Sequence, residues 1–231
     1  MKRTLLSLIF TFTFSSIYSQ DTITYFSDAL KENIESYNIA SNNAYEKRDI
    51  SEGRRLFDSL VKYKLVGTQF DNFNIKSYKA KNVKLNTINK PVFIITYSSW
   101  CVINKGEIPA LNILAKEHRD EMQIIVLFWD KKANLKKIAN QFCSDIKVCY
   151  ANESYSDDSH IISTIKHTLG FPTSIFIDEN KKVVSIKHFT NIIKLRTPVK
   201  EAIVISYNNF STSINESLVN TLANNYSLSN N

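Results

Sequence analysis

Glycine and proline are scarce, four of each in 231 residues, and cysteine occurs only three times. So little glycine excludes a collagen-like repeat, and so few cysteines exclude a disulfide-dense miniprotein. A hydrophobic content of 43% with 22% charged residues excludes a disordered chain. No glycine-rich phosphate loop, nucleophile elbow or paired-carboxylate arrangement is present. His118, His160, His167 and His188 share no metal-ligand spacing, and Asp157-Asp158 reads as a charge pair at a helix N-terminus, so neither a metal nor another cofactor is expected. Three is also an odd number. In an oxidising compartment one thiol must stay unpaired or bridge to another chain.

The N-terminus suggests such a compartment. Met1-Lys2-Arg3 precedes the apolar run Thr4 to Ile17, and polarity rises sharply at Tyr18-Ser19-Gln20-Asp21. A basic start, a short apolar stretch and a small residue at the boundary form a secretory signal peptide over 1–20, with cleavage after Ser19 or Gln20. The run is shorter than the roughly 20 residues of a spanning helix and is broken by Ser and Thr, so a retained membrane span is not expected. Export, to a bacterial periplasm, is the expected localisation. Losing Lys2 and Arg3 reduces 29 basic residues to 27 against 22 acidic ones, and the formal charge falls from +7 to +5. The remaining cations are dispersed among acids, as on a solvated surface, so a nucleic-acid partner is not expected.

Residues 21–66 carry helical periodicity, with Leu30, Ile34 and Tyr37 on one stripe and Leu56, Phe57, Leu60 and Val61 on another. Asp49 and Glu52 have capping-box spacing, which predicts a helix over about 50–64. This segment reads as a helical N-terminal extension, followed by a domain over 67–231. There, Phe73 to Tyr78 and Asn82 to Leu85 suit a hairpin, Val92 to Tyr97 reads as the continuous apolar run of a buried strand, and Gln123 to Trp129 reads as a second buried strand. Helices are expected over Cys101 to His118, Asn134 to Phe142 and Ile161 to Leu169. Thr173 to Asp178 and Val183 to Lys187 read as two short strands. Thr197-Pro198 opens another helix, and Ser213 with Glu216 forms a capping box for a final one. The order implies an α/β fold with a central mixed sheet flanked by helices.

Cys101 follows a buried-strand pattern at the expected start of a helix. Unpaired amides and the helix dipole there would lower its pKa and make it nucleophilic. The run Trp100-Cys101-Val102-Ile103-Asn104-Lys105-Gly106-Glu107-Ile108-Pro109 resembles the active-site segment of exported thioredoxin-like proteins of the TlpA and ResA type. Those proteins carry Trp-Cys-x-x-Cys followed by a Glu and a Pro. Gly170-Phe171-Pro172-Thr173 resembles their loop whose cis-proline faces the active-site cysteine. The resemblance covers about Gly67 to Phe189, leaves 21–66 and 198–231 as extensions, and implies a thioredoxin-like fold with an extra C-terminal helix. It implies that Glu107 tunes the thiol, that Pro109 kinks the helix, and that Pro172 marks an edge for extended polypeptides. The pattern departs at one position: Asn104 stands where those proteins have the second cysteine.

An Asn cannot resolve a mixed disulfide, so two-electron dithiol chemistry is not expected from these positions. The resemblance then implies thiol-disulfide exchange on protein substrates through Cys101 alone, in a monothiol oxidoreductase or isomerase manner, with Trp100, Asn104 and Pro172 around it. A different class of function is a catalytically degenerate fold that binds a polypeptide along the Pro172 edge. Ser98 lies three residues before Cys101, as the threonine of a peroxiredoxin would, but Pro91 is too distant to complete that pattern. Cys143 and Cys149 could close a small structural disulfide, with resolution of Cys101 by one of them as the alternative.

Overall fold

The computed structural model describes residues 23–79, 82–155, 158–166, 168–170, 172–189, 193–194 and 196–229, with side chains of the last helix described through Thr221. The expected signal peptide, Asp157, His167 and Phe171 lie outside the described residues. Among the described residues no helix is long and apolar enough to cross a membrane.

Two helices open the described chain, α1 (Phe26–Glu46) and α2 (Ile50–Leu60). Asp49 caps α2 as its spacing predicts, accepting the Glu52 N–H at 2.9 Å. A single π-helical turn, Val61–Leu65, continues α2. The start of α1 is held from a distance: the Asp71 carboxylate accepts the Ser27 N–H at 2.8 Å and the Ser27 hydroxyl at 2.6 Å. Residues 67–70 in turn bond to the backbone of Lys181 and Val183. The N-terminal extension is therefore stitched to the sheet by the segment that follows it.

Six strands form one mixed sheet: β1 (Lys76–Ser77), β2 (Val92–Tyr97), β3 (Gln123–Phe128), β4 (Ile146–Tyr150), β5 (Thr173–Ile177) and β6 (Val183–His188). Their order is β1-β4-β3-β2-β5-β6, with β2, β3 and β4 parallel and the other pairs antiparallel. Helices α3 (Glu107–Glu117), α4 (Ser159–Ile165) and α5 (Val199–Ser229) complete the fold. Alternation along each strand divides the core. Ile94, Leu127, Cys149 and Ile175 face one layer with α1, α2 and α4, and Phe93, Ile95, Val126 and Phe176 face the other with α3 and α5. This is a thioredoxin-like arrangement, as the sequence implied.

Several local expectations fail. The hairpin over Phe73 to Leu85 is reduced to one bridge, Ile75 to Val83, while β1 pairs with β4. Asn134 to Phe142 forms two 3-10 turns rather than a helix; the Asn140 and Gln141 amides bond back to the carbonyls of Lys136 and Lys137 and compete with the helical ladder. Strand β4 had no separate reading. The capping box at Ser213 opens no new helix, because α5 runs through it without interruption. Ser213 keeps phase with buried Ala202, Ser206, Phe210, Ser217 and Thr221, and Glu216 pairs with Lys187 on β6 instead of turning back to the Ser213 amide. The C-terminal helix is thus a full partner of α3 in one layer of the fold.

Candidate active site around Cys101

Every residue of β2 is buried, and burial ends abruptly beyond it. Ser98 is still inside, Trp100 is 69% and Val102 97% exposed, and Cys101 between them is partly buried. The Cys101 N–H donates to Ser98 O at 2.9 Å, closing a turn. This turn hangs on a residue the sequence reading missed, Asp130. The parallel register Tyr97 to Phe128 brings the end of β3 beside it. The buried Asp130 carboxylate accepts the Ser99 N–H at 2.6 Å, the Ser99 hydroxyl at 2.7 Å and the Ser98 hydroxyl at 3.2 Å. An acid two residues beyond a buried strand end was the available signal.

The helix does not begin at Cys101. It begins at Glu107, six residues later, after an irregular stretch. Asn104 ends that stretch: its Oδ1 accepts the Gly106 N–H at 3.0 Å, its O accepts the Glu107 N–H at 3.0 Å, and its own N–H donates to Glu107 Oε1 at 3.4 Å. A side chain that captures nearby amides starts a helix where it sits. Pro109 consequently falls in the first turn, where a missing N–H costs nothing, and introduces no kink. The dipole effect fades within the first turn, so Cys101 lies beyond its reach.

The thiol's electrostatics follow from this placement and reverse the expectation. Burial pushes the Cys101 pKa up; a backbone hydrogen bond at Ser98 opposes it, and the carboxylates of Asp130 and Glu107 raise it further. Glu107 is itself only 5% exposed and accepts the Tyr97 hydroxyl at 2.7 Å. Burial raises its pKa, with the bonds from Tyr97 and Asn104 opposing. The same burial, with Glu107 beside it, raises Tyr97 well above the ordinary phenol. Cys101, Asn104 and Glu107 are thus gathered in one locality, with a thiol whose pKa is raised by burial and by the two carboxylates.

Pro172 reaches the same end of the sheet by another route. β5 runs antiparallel to β2 with Thr96 opposite Thr173, so the residue before β5 lies beside the segment leaving β2. Its carbonyl accepts the Phe189 N–H at 3.3 Å, and the Thr173 hydroxyl donates to the carbonyls of Leu169 and Gly170. The other two cysteines do not join. Cys149 faces the layer with α1 and α2, whereas Cys143 packs against the opposite layer, where its N–H donates to Asn112 Oδ1 at 2.8 Å. All three thiols are free, and the expected Cys143–Cys149 disulfide is absent because the sheet separates the pair. Among the described residues no cluster of three His, Cys, Asp or Glu could hold a metal.

The sequence profile of the AhpC/TSA family matches residues 66–186, slightly more than half of the chain. The chain belongs to the AhpC/TSA family. Within this AhpC/TSA protein the match runs from the end of the N-terminal helices into β6, and includes Cys101, Glu107 and Pro172. Among solved structures, a putative thiol:disulfide interchange protein DsbE from Chlorobium tepidum is 21% identical, covering 62% of this chain and 97% of its own, with a TM-score of 0.45. The pneumococcal exposed lipoprotein thioredoxin from Streptococcus pneumoniae strain TIGR4 is 16% identical over 60% of this chain and 99% of its own, with a TM-score of 0.42. A secreted disulfide oxidoreductase from Mycobacterium tuberculosis is 11% identical over 58% of this chain and 92% of its own, with a TM-score of 0.40. No curated protein matches the sequence.

Proposed function

We propose that this protein is an exported, TlpA-like member of its family that carries out thiol-disulfide exchange on protein substrates through Cys101 alone. The observation that carries the reading is the presentation of Cys101: a partly buried thiol at the end of a fully buried strand, between the exposed apolar side chains of Trp100 and Val102. Asn104, at the position of a second thiol in the TlpA and ResA pattern, serves as a helix-start ligand instead. The Cys101 thiolate attacks a substrate disulfide, the Cys101–substrate bond forms, the substrate S–S bond breaks, and the released sulfur takes up a proton. The mixed disulfide then waits for a thiol from outside.

A raised pKa slows this attack without abolishing it. Less thiolate is present, but the thiolate is a stronger nucleophile, and with a Brønsted coefficient of about 0.4–0.5 each pKa unit above ambient pH costs only about three- to fourfold in rate. The same property makes Cys101 a poor leaving group, so its mixed disulfides persist. Mass spectrometry after incubation with a disulfide-bonded model protein tests the reading. The adduct is expected on Cys101 in the wild type, with no adduct in Cys101→Ser and a much shorter-lived one in Asn104→Cys, where a resolving thiol is restored. An absent Cys101 adduct even at alkaline pH, with equal retention of the model protein by wild type and Cys101→Ser, would favour the polypeptide-binding module and overturn the exchange reading.

A further inference from the structure

Asp130 is a buried acid, 8% exposed, that the exchange step described above leaves without a role. Pairing of β2 with β3 runs one residue beyond the strands, since the Trp129 N–H donates to Tyr97 O at 3.0 Å. The sheet therefore fixes the backbone on which Asp130 sits. Its carboxylate collects the Ser99 N–H, the hydroxyls of Ser98 and Ser99 and, at 3.4 Å, the Asn134 side-chain amide. Ser98, 2% exposed, in turn serves Cys101 twice. Its carbonyl accepts the Cys101 N–H at 2.9 Å, and its backbone makes the hydrogen bond that favours the Cys101 thiolate. A sulfur anion takes such a bond from an N–H, so the Ser98 amide is a donor placed where negative charge develops. All four donors on Asp130 are neutral, so its own charge is shared among them and not cancelled.

We propose that Asp130 is a positioning residue of the exchange reaction: through Ser98 and Ser99 it holds the Ser98 amide against Cys101 Sγ, and its charge restrains the resting thiol. The inference deepens the exchange reading above and rests on it. The two effects oppose each other. The held amide stabilises the thiolate, whereas the carboxylate repels it through space. The repulsion weighs most on the free thiolate. As the Cys101–substrate bond forms and the substrate S–S bond breaks, negative charge spreads onto the departing sulfur, away from Asp130. Two other titratable groups act on the same thiol, Glu107 on α3 and Tyr97 on β2. Neither of them bonds to Ser98 or Ser99, since Tyr97 donates to Glu107 and Glu107 accepts from Asn104. Holding the turn and repelling the thiolate are therefore joined in Asp130, and they separate on substitution. Asparagine at 130 keeps an oxygen for the Ser99 N–H and removes the charge. Alanine at 99 removes one of the carboxylate's donors and leaves the charge in place.

The test is the pH profile of Cys101 alkylation by iodoacetamide in the mature protein, read by mass spectrometry, with unlabelled Cys149 as the sign that each variant is folded. Asp130→Asn is expected to move the profile to lower pH and to raise the rate at neutral pH by about two- to fourfold, because the gain in thiolate is partly offset by its lower nucleophilicity. Ser99→Ala is expected to move the profile the other way, to higher pH. A purely structural Asp130 would shift both variants in the same direction or neither. Either of those results overturns the proposal and leaves exchange at Cys101 intact. The same order of rates, Asp130→Asn above wild type above Ser99→Ala, is expected at neutral pH for adduct formation with the disulfide-bonded model protein. Alkylation needs no disulfide substrate, so the two readings fail separately: a wild type that alkylates at Cys101 but forms no adduct overturns the exchange reading, and with it the part of Asp130 in that reaction.

Discussion

Replacing Gly106 by Ala should destabilise the protein, against the ordinary sign of that change. Gly106 has φ −89° and ψ −22°, a right-handed conformation that alanine adopts freely. On backbone grounds alone the methyl would restrict the unfolded chain and add about 0.4–1 kcal/mol. The opposing effect is steric. A Cβ at Gly106 would stand 2.1 Å from Ala202 O, 2.3 Å from Ala202 C and 2.8 Å from Ile203 N. These are backbone atoms inside α5 and cannot rotate away. To reach an ordinary contact of 3.4 Å, α5 must retreat by about 1.3 Å along its contact with α3. Overpacking of this kind costs about 1–3 kcal/mol, so the net loss is about 1–2 kcal/mol, or about 2–8 °C in melting temperature for a chain of this length. Gly53→Ala provides the control. Its new methyl would meet the Tyr45 ring at 2.7 Å, but that ring is the end of a half-exposed side chain and can swing out, so the helix-interior gain of about 0.5–1 kcal/mol should survive. Thermal or urea melts of the two variants decide the matter. A Gly106→Ala protein as stable as the wild type would refute the close approach of α5 to the Cys101 locality.

The buried Glu107 should make stability depend on pH. Its folded pKa lies above the ordinary 4.5, so in the window between the two values the folded chain keeps a proton that the unfolded chain has lost. Stability is therefore greatest below the unfolded value and falls as pH rises through the folded one. Glu107→Gln should make the melting-temperature curve shallower over that window, and curves that stay parallel would contradict the assignment. The thiols should also label in order. Native iodoacetamide treatment should modify Cys101 first, then Cys143, and Cys149 only on unfolding, since Cys149 is wholly buried with a pKa pushed up to about 12. A native peptide map with Cys143 joined to Cys149 would contradict their placement on opposite faces of the sheet.

How much was legible in the sequence varied with the range of the forces involved. Val92 to Tyr97 is almost wholly apolar and forms β2 with those limits, because a strand buried on both faces carries a nearly continuous apolar run, its one hydroxyl, on Thr96, satisfied by the Thr173 carbonyl. Asp49 caps α2 because capping needs only three residues of chain. Asn134 to Phe142 misled because its Leu135 and Ala139 are buried at helical spacing, yet side-chain amides divert the backbone into 3-10 turns. Around Cys101 the important residues were named, but their relation was not. Asn104 could be seen as the absent thiol and not as the group that starts the helix six residues late.

The sequence by itself determined the alternation of strands and helices, the single cysteine beside Trp100 and the position of Asn104, because these are written in periodicity and residue type. Only the tertiary structure decided the state of that cysteine. Its raised pKa comes from burial and from two carboxylates, one just past β3 and one on α3, and the free state of Cys143 and Cys149 comes from a sheet standing between them. Electrostatics and covalent reach both depend on distance in space, and residues 29 positions apart such as Cys101 and Asp130 become neighbours only when parallel strands align their ends.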